Sequence, residues 1–436
     1  MQVSVETTEG LGRRMTVQVP AERVEQEVER RLKDLSGRVK MDGFRPGKVP
    51  VKVVRKQYGA QVRSEVLSEV VQQTYSEALE QESLRPAGNP HIEPRRTGEG
   101  EDLEYEATFD VLPEIEVQGL DRIRVERPQV EVTDADLDNV LERLRKQHAD
   151  YQEVDRAAQD EDRVVIDFHG TIDGEAFTGN SAEDAPLILG AGQLPEAFEQ
   201  ALQGAQAGQE LTVEHKFPDD LAEPSIAGKT AVFQVTVKRV EEPQLPELDD
   251  DFAARLGIQE GGVEALRDAV RGNLERERDQ AVRQRLKRQV LDQLADQNEL
   301  ELPKSLIDGE IEALRQQSGA TAEGELPESE RSAYEEVAGR RVKLGLLVNE
   351  LVRSQGIQLD RERMMTQLRE MAANSGQDPS EALQQIAQDR QMMQGLEASV
   401  IEEQVVDWLL EQVQTEDKPM SFDELMNSED GDQASA

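Results

Sequence analysis

The run VVIDFHGTIDGEAF, residues 164–177, sets the reading of the middle of this chain. Val164 to Phe168 is dominated by β-branched and aromatic side chains, which suit a pleated, half-buried strand. Asp173-Gly174 then supplies a pair that tolerates a left-handed backbone, the mark of a tight hairpin turn. Farther on, Ala231 to Val240 alternates cleanly, and a short helix over Pro195 to Leu202 is the main interruption. Residues 151–243 therefore form a β-rich domain with one short helix.

Toward the N-terminus the pattern changes. Two alternating runs, Gln2 to Thr7 and Met15 to Val19, flank the turn-prone Gly10-Leu11-Gly12 and predict a hairpin. Helical spacing follows over Ala21 to Val39 and again over Gln61 to Gln81, where Val62, Val66, Leu67, Val70 and Val71 share one face. Extended segments return at His91 to Glu93 and Leu103 to Val111, so residues 1–112 form an α+β domain with helices on one face of an antiparallel sheet. Residues 113–150 are a connector: a Pro-marked extended stretch, then a helix over Asp134 to His148 capped by Thr133.

Past Glu241-Glu242-Pro243-Gln244-Leu245-Pro246 the chain becomes helical. Leu266, Val270, Leu274, Val282, Leu286, Val290 and Leu294 place one long amphipathic helix over Glu264 to Gln297. Further helices are expected over Lys304 to Gln316, Glu328 to Ser354, Arg361 to Ala373 and Ser380 to Gln414. Residues 244–416 are thus an extended all-α domain, and 417–436, ending SEDGDQASA, an acidic tail expected to lack structure. The fold class is multidomain α+β.

Composition bounds the function. At 436 residues two to four domains are expected, and 91 acidic against 50 basic residues give a net charge of −41. That field disfavours nucleic acid and anionic membranes as partners of the whole molecule, so any such contact must be local. From Arg31 to Arg63, however, ten basic residues stand against two acids, Asp34 and Asp42. With no cysteine, disulfides and thiolate chemistry are excluded. The opening MQVSVETTEGLGRR lacks the pattern of an export signal and no run is long enough to span a bilayer, so a cytoplasmic location without membrane contact is expected.

Inside the basic segment lies GFRPGKVP, residues 43–50. Two glycines and two prolines force a turn with an aromatic among cations at its tip. A ring folded back into the core is the ordinary outcome for such a loop. A ring left outside suits an anionic, partly apolar partner such as RNA with protein beside it. In order and position the octapeptide resembles the ribosome-binding loop of the trigger factor family. That resemblance implies contact of Gly43, Phe44, Arg45, Gly47 and Lys48 with the large ribosomal subunit, protein and rRNA, beside the exit tunnel. Pro46 stands where the family often carries a basic residue.

Residues 162–240, through VVIDFHGTIDGEAF, LGAGQLPEAFEQAL, FPDDL and AVFQVTV, resemble an FKBP-type prolyl isomerase domain. Five of the nine phenylalanines fall there, enough for a small barrel with an aromatic-lined pocket or simply for its core. The resemblance assigns Phe168, Phe177, Leu194, Phe198 and Phe233 to the proline pocket. Rotation about an X-Pro bond meets a barrier of about 18–20 kcal/mol from amide resonance, and a dry apolar pocket that favours the twisted amide lowers it without acid, base or metal. Three matched positions depart from the family. Pro195 has no backbone N–H to give a substrate carbonyl, Leu221 stands where a tyrosine hydroxyl is common, and Thr178 replaces a common acid. Weak turnover with prolyl-peptide binding retained is the expectation.

Residues 248–414 resemble the trigger factor C-terminal domain, through LPELDDDFAARLG, RRVKLGLLVNELV and EEQVVDWLLEQV. Met364, Met365, Met371, Met392 and Met393 cluster there; flexible thioethers suit a surface that accepts many apolar sequences, although at least half are expected in the core. The implied partners are nascent and unfolded polypeptides. No phosphate loop of the GxxxxGK[ST] form occurs and the four histidines lack ligand spacing, so no cofactor, metal or ATP is expected. A homodimer off the ribosome is compatible with this reading. Two alternatives stay open: a free prolyl isomerase with helical dimerisation appendages, and a holdase that does not bind ribosomes.

Overall fold

The computed structural model describes residues 1–41, 44, 48–177, 179–192, 195–218, 226–317, 328–376 and 378–433, without the side chains of 328–330 and 428–433. The chain divides into two compact units, Met1–Arg127 with Gln284–Lys418, and Pro128–Arg283 with Pro419–Ala436.

The first unit opens with β1 (Gln2–Thr7), β2 (Gly12–Val19), α1 (Ala21–Ser36), α2 (Val51–Gln81), β3 (Pro86–Arg96) and β4 (Leu103–Val111). The four strands form an antiparallel sheet in the order β1-β2-β4-β3, with Val17 opposite Tyr105. Alternation does the expected work here. Met15, Val17 and Val19 of β2 and Leu103, Tyr105, Ala107 and Phe109 of β4 are buried together with Val24, Val28 and Leu32 of α1 and Val54, Val62, Val66 and Val70 of α2. The Thr74 and Tyr105 hydroxyls meet at 2.9 Å beneath them. Helix α2 starts at Val51, well ahead of the expected Gln61, because Lys52, Arg55, Lys56 and Gly59 interrupt an apolar stripe that Val54 in fact begins.

Strand β5 (Arg124–Gln129) pairs with β11 (Gln414–Pro419) in a two-stranded ribbon. Its backbone is also held by side-chain amides of the long helix α6 (Gly262–Gln297). Gln293 accepts from the Arg124 N–H at 3.0 Å and donates to its carbonyl at 2.6 Å, while Gln289 does the same for Glu126 at 2.8 and 3.2 Å. Two amides one helical turn apart thus serve as a neighbouring strand would. Asn298 grips Gln118 in the same manner.

The second unit carries α3 (Asp134–Gln147), β6 (Asp150–Val154), β7 (Arg163–Thr171), β8 (Ser181–Ile188), α4 (Glu196–Leu202), β9 (Glu210–Lys216), β10 (Thr230–Gln244) and α5 (Asp250–Arg255). β10 is the spine: it pairs with β7 along one side and with β9 and then β6 along the other, and β8 extends the sheet from β7. All five strands are antiparallel. The Asp173-Gly174 turn has φ of 54° and 84°, as its sequence demands.

The other helices of the first unit are α7 (Lys304–Gln317), α8 (Glu328–Gln355), α9 (Arg361–Asn374), α10 (Pro379–Gln388) and α11 (Arg390–Gln412). The single helix expected over Ser380 to Gln414 is two. Asp389 breaks it with ψ 106°, and its carboxylate accepts from the Gln391 and Met392 N–H groups at 2.9 and 3.0 Å, starting a new helix. Among the described residues no helix is long and apolar enough to cross a membrane.

Two corrections concern the connector and the tail. Within the second unit, residues expected to be structureless form α12 (Phe422–Gln433), whose Phe422 and Leu425 are buried against Leu137 and Leu141 of α3, Phe252 of α5 and Leu266, Val270 and Leu274 of α6. The helix from the connector is therefore one wall of a core. The acidic composition of the last residues outweighed a two-residue apolar pair that only a distant partner could make significant.

Candidate functional site

The aromatic cluster is assembled by β7, α4 and β10. Phe233 of β10 is its hub, with the rings of Phe168, Phe177 and Phe198 edge-on to it at centroid distances of 5.9, 6.1 and 5.1 Å. Phe217 joins through Phe177 at 5.9 Å. Phe198 and Phe233 are buried, whereas Phe168, Phe177 and Phe217 are half-buried, so the first two form the floor and the other three the accessible rim. Leu194, Thr178 and Leu221 lie outside the described residues. Pro195 sits at the N-cap of α4 with φ −57°, where its missing N–H removes one of the free donors that a helix start otherwise presents.

Sequence reasoning missed Gly170. It lies opposite Phe233 in the β7–β10 register, and a Cβ there would stand 2.5 Å from Phe233 Cε1. The bare backbone is what lets the hub ring lie against β7. Asn180 fixes that spot: its side-chain amide donates to the Gly170 carbonyl at 2.8 Å, and the Gly170 N–H donates to the Asn180 carbonyl at 2.6 Å. A glycine inside a strand run was the signal available in the sequence.

The opposite face of the same strands is polar. A cavity of 570 Å³ there is lined by Asp167, His169, Ser181, Glu183, Gln234 and Thr236, with Phe168 at its edge. The Asp184 backbone N–H, then Lys238, holds the Asp167 carboxyl below the usual carboxylate range. Lys238 in turn is raised, first by its bond to Asp184 and then by Asp167. These pairs stitch β7, β8 and β10 together, while on the aromatic side the His215 ring stands edge-on to Phe217 at 4.9 Å.

In the basic segment, Phe44 is exposed at 39%, its N–H donating to the Met41 carbonyl at 3.1 Å. Lys48 is exposed beside buried Val49, which anchors the return into α2. Gly43, Arg45 and Gly47 lie outside the described residues. Among the described residues, Arg31, Lys33, Arg38, Lys40, Lys48, Lys52, Arg55 and Lys56 make no ion pair, whereas Arg63 is paired with Glu25 at 2.6 Å. In a chain with almost twice as many acids as bases, eight neighbouring cations without a carboxylate are a built feature of the surface.

Of the five clustered methionines, Met364 and Met393 pack against Leu368, Ala372, Ala382, Ile386 and Leu396, where α9, α10 and α11 meet. Met365, Met371 and Met392 are exposed at 40%, 40% and 43%. Fewer than half are core, against expectation, because each of the three helices turns only one stripe inward.

Comparison with known proteins matches three successive parts of the chain. The family description "Bacterial trigger factor protein (TF)" matches residues 1–144, its C-terminal counterpart residues 262–411, and "FKBP-type peptidyl-prolyl cis-trans isomerase" residues 154–238. A trigger factor from Halorhodospira halophila is 96% identical over the whole of both chains. One from Alkalilimnicola ehrlichii is 61% identical, covering 100% of this chain and 98% of its own. One from Thioalkalivibrio sulfidiphilus is 52% identical over 98% of each. Matched in three successive parts and along its full length, the chain belongs to the trigger factor family.

Proposed function

We propose that this chain is an ATP-independent cytoplasmic chaperone that docks at the ribosomal exit tunnel, shields apolar segments of emerging polypeptides and isomerises their prolyl bonds weakly. The observation that carries docking is the exposed Phe44 together with eight basic residues of the same segment that make no ion pair among the described residues, an arrangement suited to phosphates with an apolar contact beside them. Gly43, Phe44, Arg45, Gly47 and Lys48 are the ribosome-binding residues. Phe168, Phe177, Leu194, Phe198 and Phe233 hold the prolyl ring while its amide twists. Exposed Met365, Met371 and Met392 supply adaptable apolar contacts to clients, which leave when they bury their own apolar surface.

Co-sedimentation with ribosomes tests the first part. The native chain is expected in the pellet, and the combined Phe44→Ala, Arg45→Ala, Lys48→Ala variant in the supernatant; equal pelleting would overturn the docking assignment. A protease-coupled prolyl peptide assay tests the second. Slow turnover is expected, and turnover equal to a stand-alone FKBP-type enzyme would show that the groups lost at Pro195, Thr178 and Leu221 are dispensable.

A further inference from the structure

Sheet edges expose backbone donors and acceptors, and proteins usually guard them with proline, charge, bulges or covering elements. In the N-terminal sheet, β3 is guarded in all these ways. Pro86, Pro90 and Pro94 offer no N–H, the register shifts twice, Arg95 and Arg96 pair with Glu106 and Glu104, and α7 covers one end, Ser305 donating to the Ala87 carbonyl at 2.9 Å. In the second unit, β8 contains Pro186 and a left-handed Asp184 with φ 52°, and β9 carries Glu210, Glu214 and Lys216.

The opposite edge, β1, has none of these devices but one charge, Glu6. Its six residues, QVSVET, include no proline, no basic side chain and no left-handed position, and they pair with β2 in unbroken register. Among the described residues, Gln2 to Thr7 make no hydrogen bond beyond that pairing. Antiparallel geometry therefore leaves alternate N–H and C=O groups aimed outward. Val3 and Val5 are half-buried against the core while Gln2, Ser4 and Glu6 are exposed, so the apolar layer runs to the edge and stops.

We propose that the outer edge of β1 takes up an extended segment of unfolded polypeptide as a fifth strand. The occupant is proline-free, with apolar side chains at every second position on the side of Val3 and Val5. Backbone pairing reads no particular sequence, which suits a chaperone whose clients differ. The rim is nearly neutral, since the one carboxylate, Glu6, lies opposite Arg14, so clients of either charge are admitted. A second copy of this chain fits poorly. Each copy carries −41, and one short strand pair falls well below the roughly 800 Å² per partner of a stable interface. The proposal rests on the chaperone reading and adds a mode of client capture to it.

Hydrogen–deuterium exchange of the full chain, with and without a blocked peptide of alternating Thr and Val, tests this; fluorescence anisotropy of the labelled peptide reports binding separately. Exchange at β1 is expected to slow at least about tenfold when the peptide is bound, equivalent to about 1.4 kcal/mol, with β3 unchanged. The same peptide N-methylated at alternate amides is expected to lose this protection. Binding without protection of β1, or equal protection by the N-methylated peptide, overturns the edge assignment and leaves the chaperone reading intact. Absence of any binding counts against both. Protection that rises with protein concentration alone assigns the edge to a second copy and overturns the proposal.

Discussion

Splitting the loop into its charge and its ring gives the sharpest test of how the first unit meets a ribosome. Lys48→Ala deletes an unpaired, exposed cation, and Phe44→Ala deletes an apolar ring without altering charge. Each phosphate contact contributes about 0.7–0.9 to the slope of log affinity against log salt. Lys48→Ala should lower that slope by about this amount, making its defect about threefold larger at about 50 mM than at about 200 mM salt. The ring behaves differently. Full burial of a Phe is worth about 1.5–3 kcal/mol, and with 39% of the residue still exposed, docking gains about 0.6–1.2 kcal/mol. Phe44→Ala should therefore bind about three- to eightfold more weakly at every salt concentration, with the slope unchanged. Equilibrium titration of labelled protein with ribosomes across a salt series reads both quantities. An unchanged slope in Lys48→Ala, or a shifted slope in Phe44→Ala, would refute the division of labour.

Three predictions concern stability. Tyr75 is buried with no hydrogen-bond partner for its hydroxyl, and burial pushes that phenol up to about 12; Tyr75→Phe should leave the melting temperature unchanged or raise it, whereas Tyr105→Phe, which loses the bond to Thr74, should cost about 1 kcal/mol. Asp162, 2% exposed, is held by Arg156 at 2.5 and 3.0 Å and by the Gln159 N–H at 2.8 Å, so Arg156→Ala leaves a buried carboxylate without its cation and should lower the melting temperature, with Arg156→Lys recovering part. For Glu241, burial opposes ionisation but the bonds from Arg239 and Arg163 outweigh it and lower its pKa below the ordinary 4.5. A depressed carboxyl stabilises the fold fully above its unfolded value and loses that contribution as pH falls through the folded one, so the destabilisation caused by Glu241→Gln should be full above about 4.5 and shrink progressively as the pH is lowered from there.

The aromatic site shows how far a sequence can be followed. The Asp173-Gly174 turn and the alternation of Ala231–Val240 placed Phe168 and Phe233 each on a strand, because both signals depend on neighbours one to four residues apart. That Phe233 is the hub, and that Gly170 is the bare backbone beneath it, depends on which residues come opposite one another across β7 and β10.

Local spacing by itself determined the succession of α+β, strand-rich and helical regions, the concentration of positive charge around residues 31–63 and the hairpin of the middle domain. Tertiary packing decided the rest. It broke the last long helix at Asp389, gave the acidic tail a helix by burying Phe422 and Leu425, and turned Met365, Met371 and Met392 outward while Met364 and Met393 went in. Periodicity states which side chains share a face. Whether that face finds apolar surface to cover it depends on partners far along the chain, and the free energy of burial is realised only when they arrive.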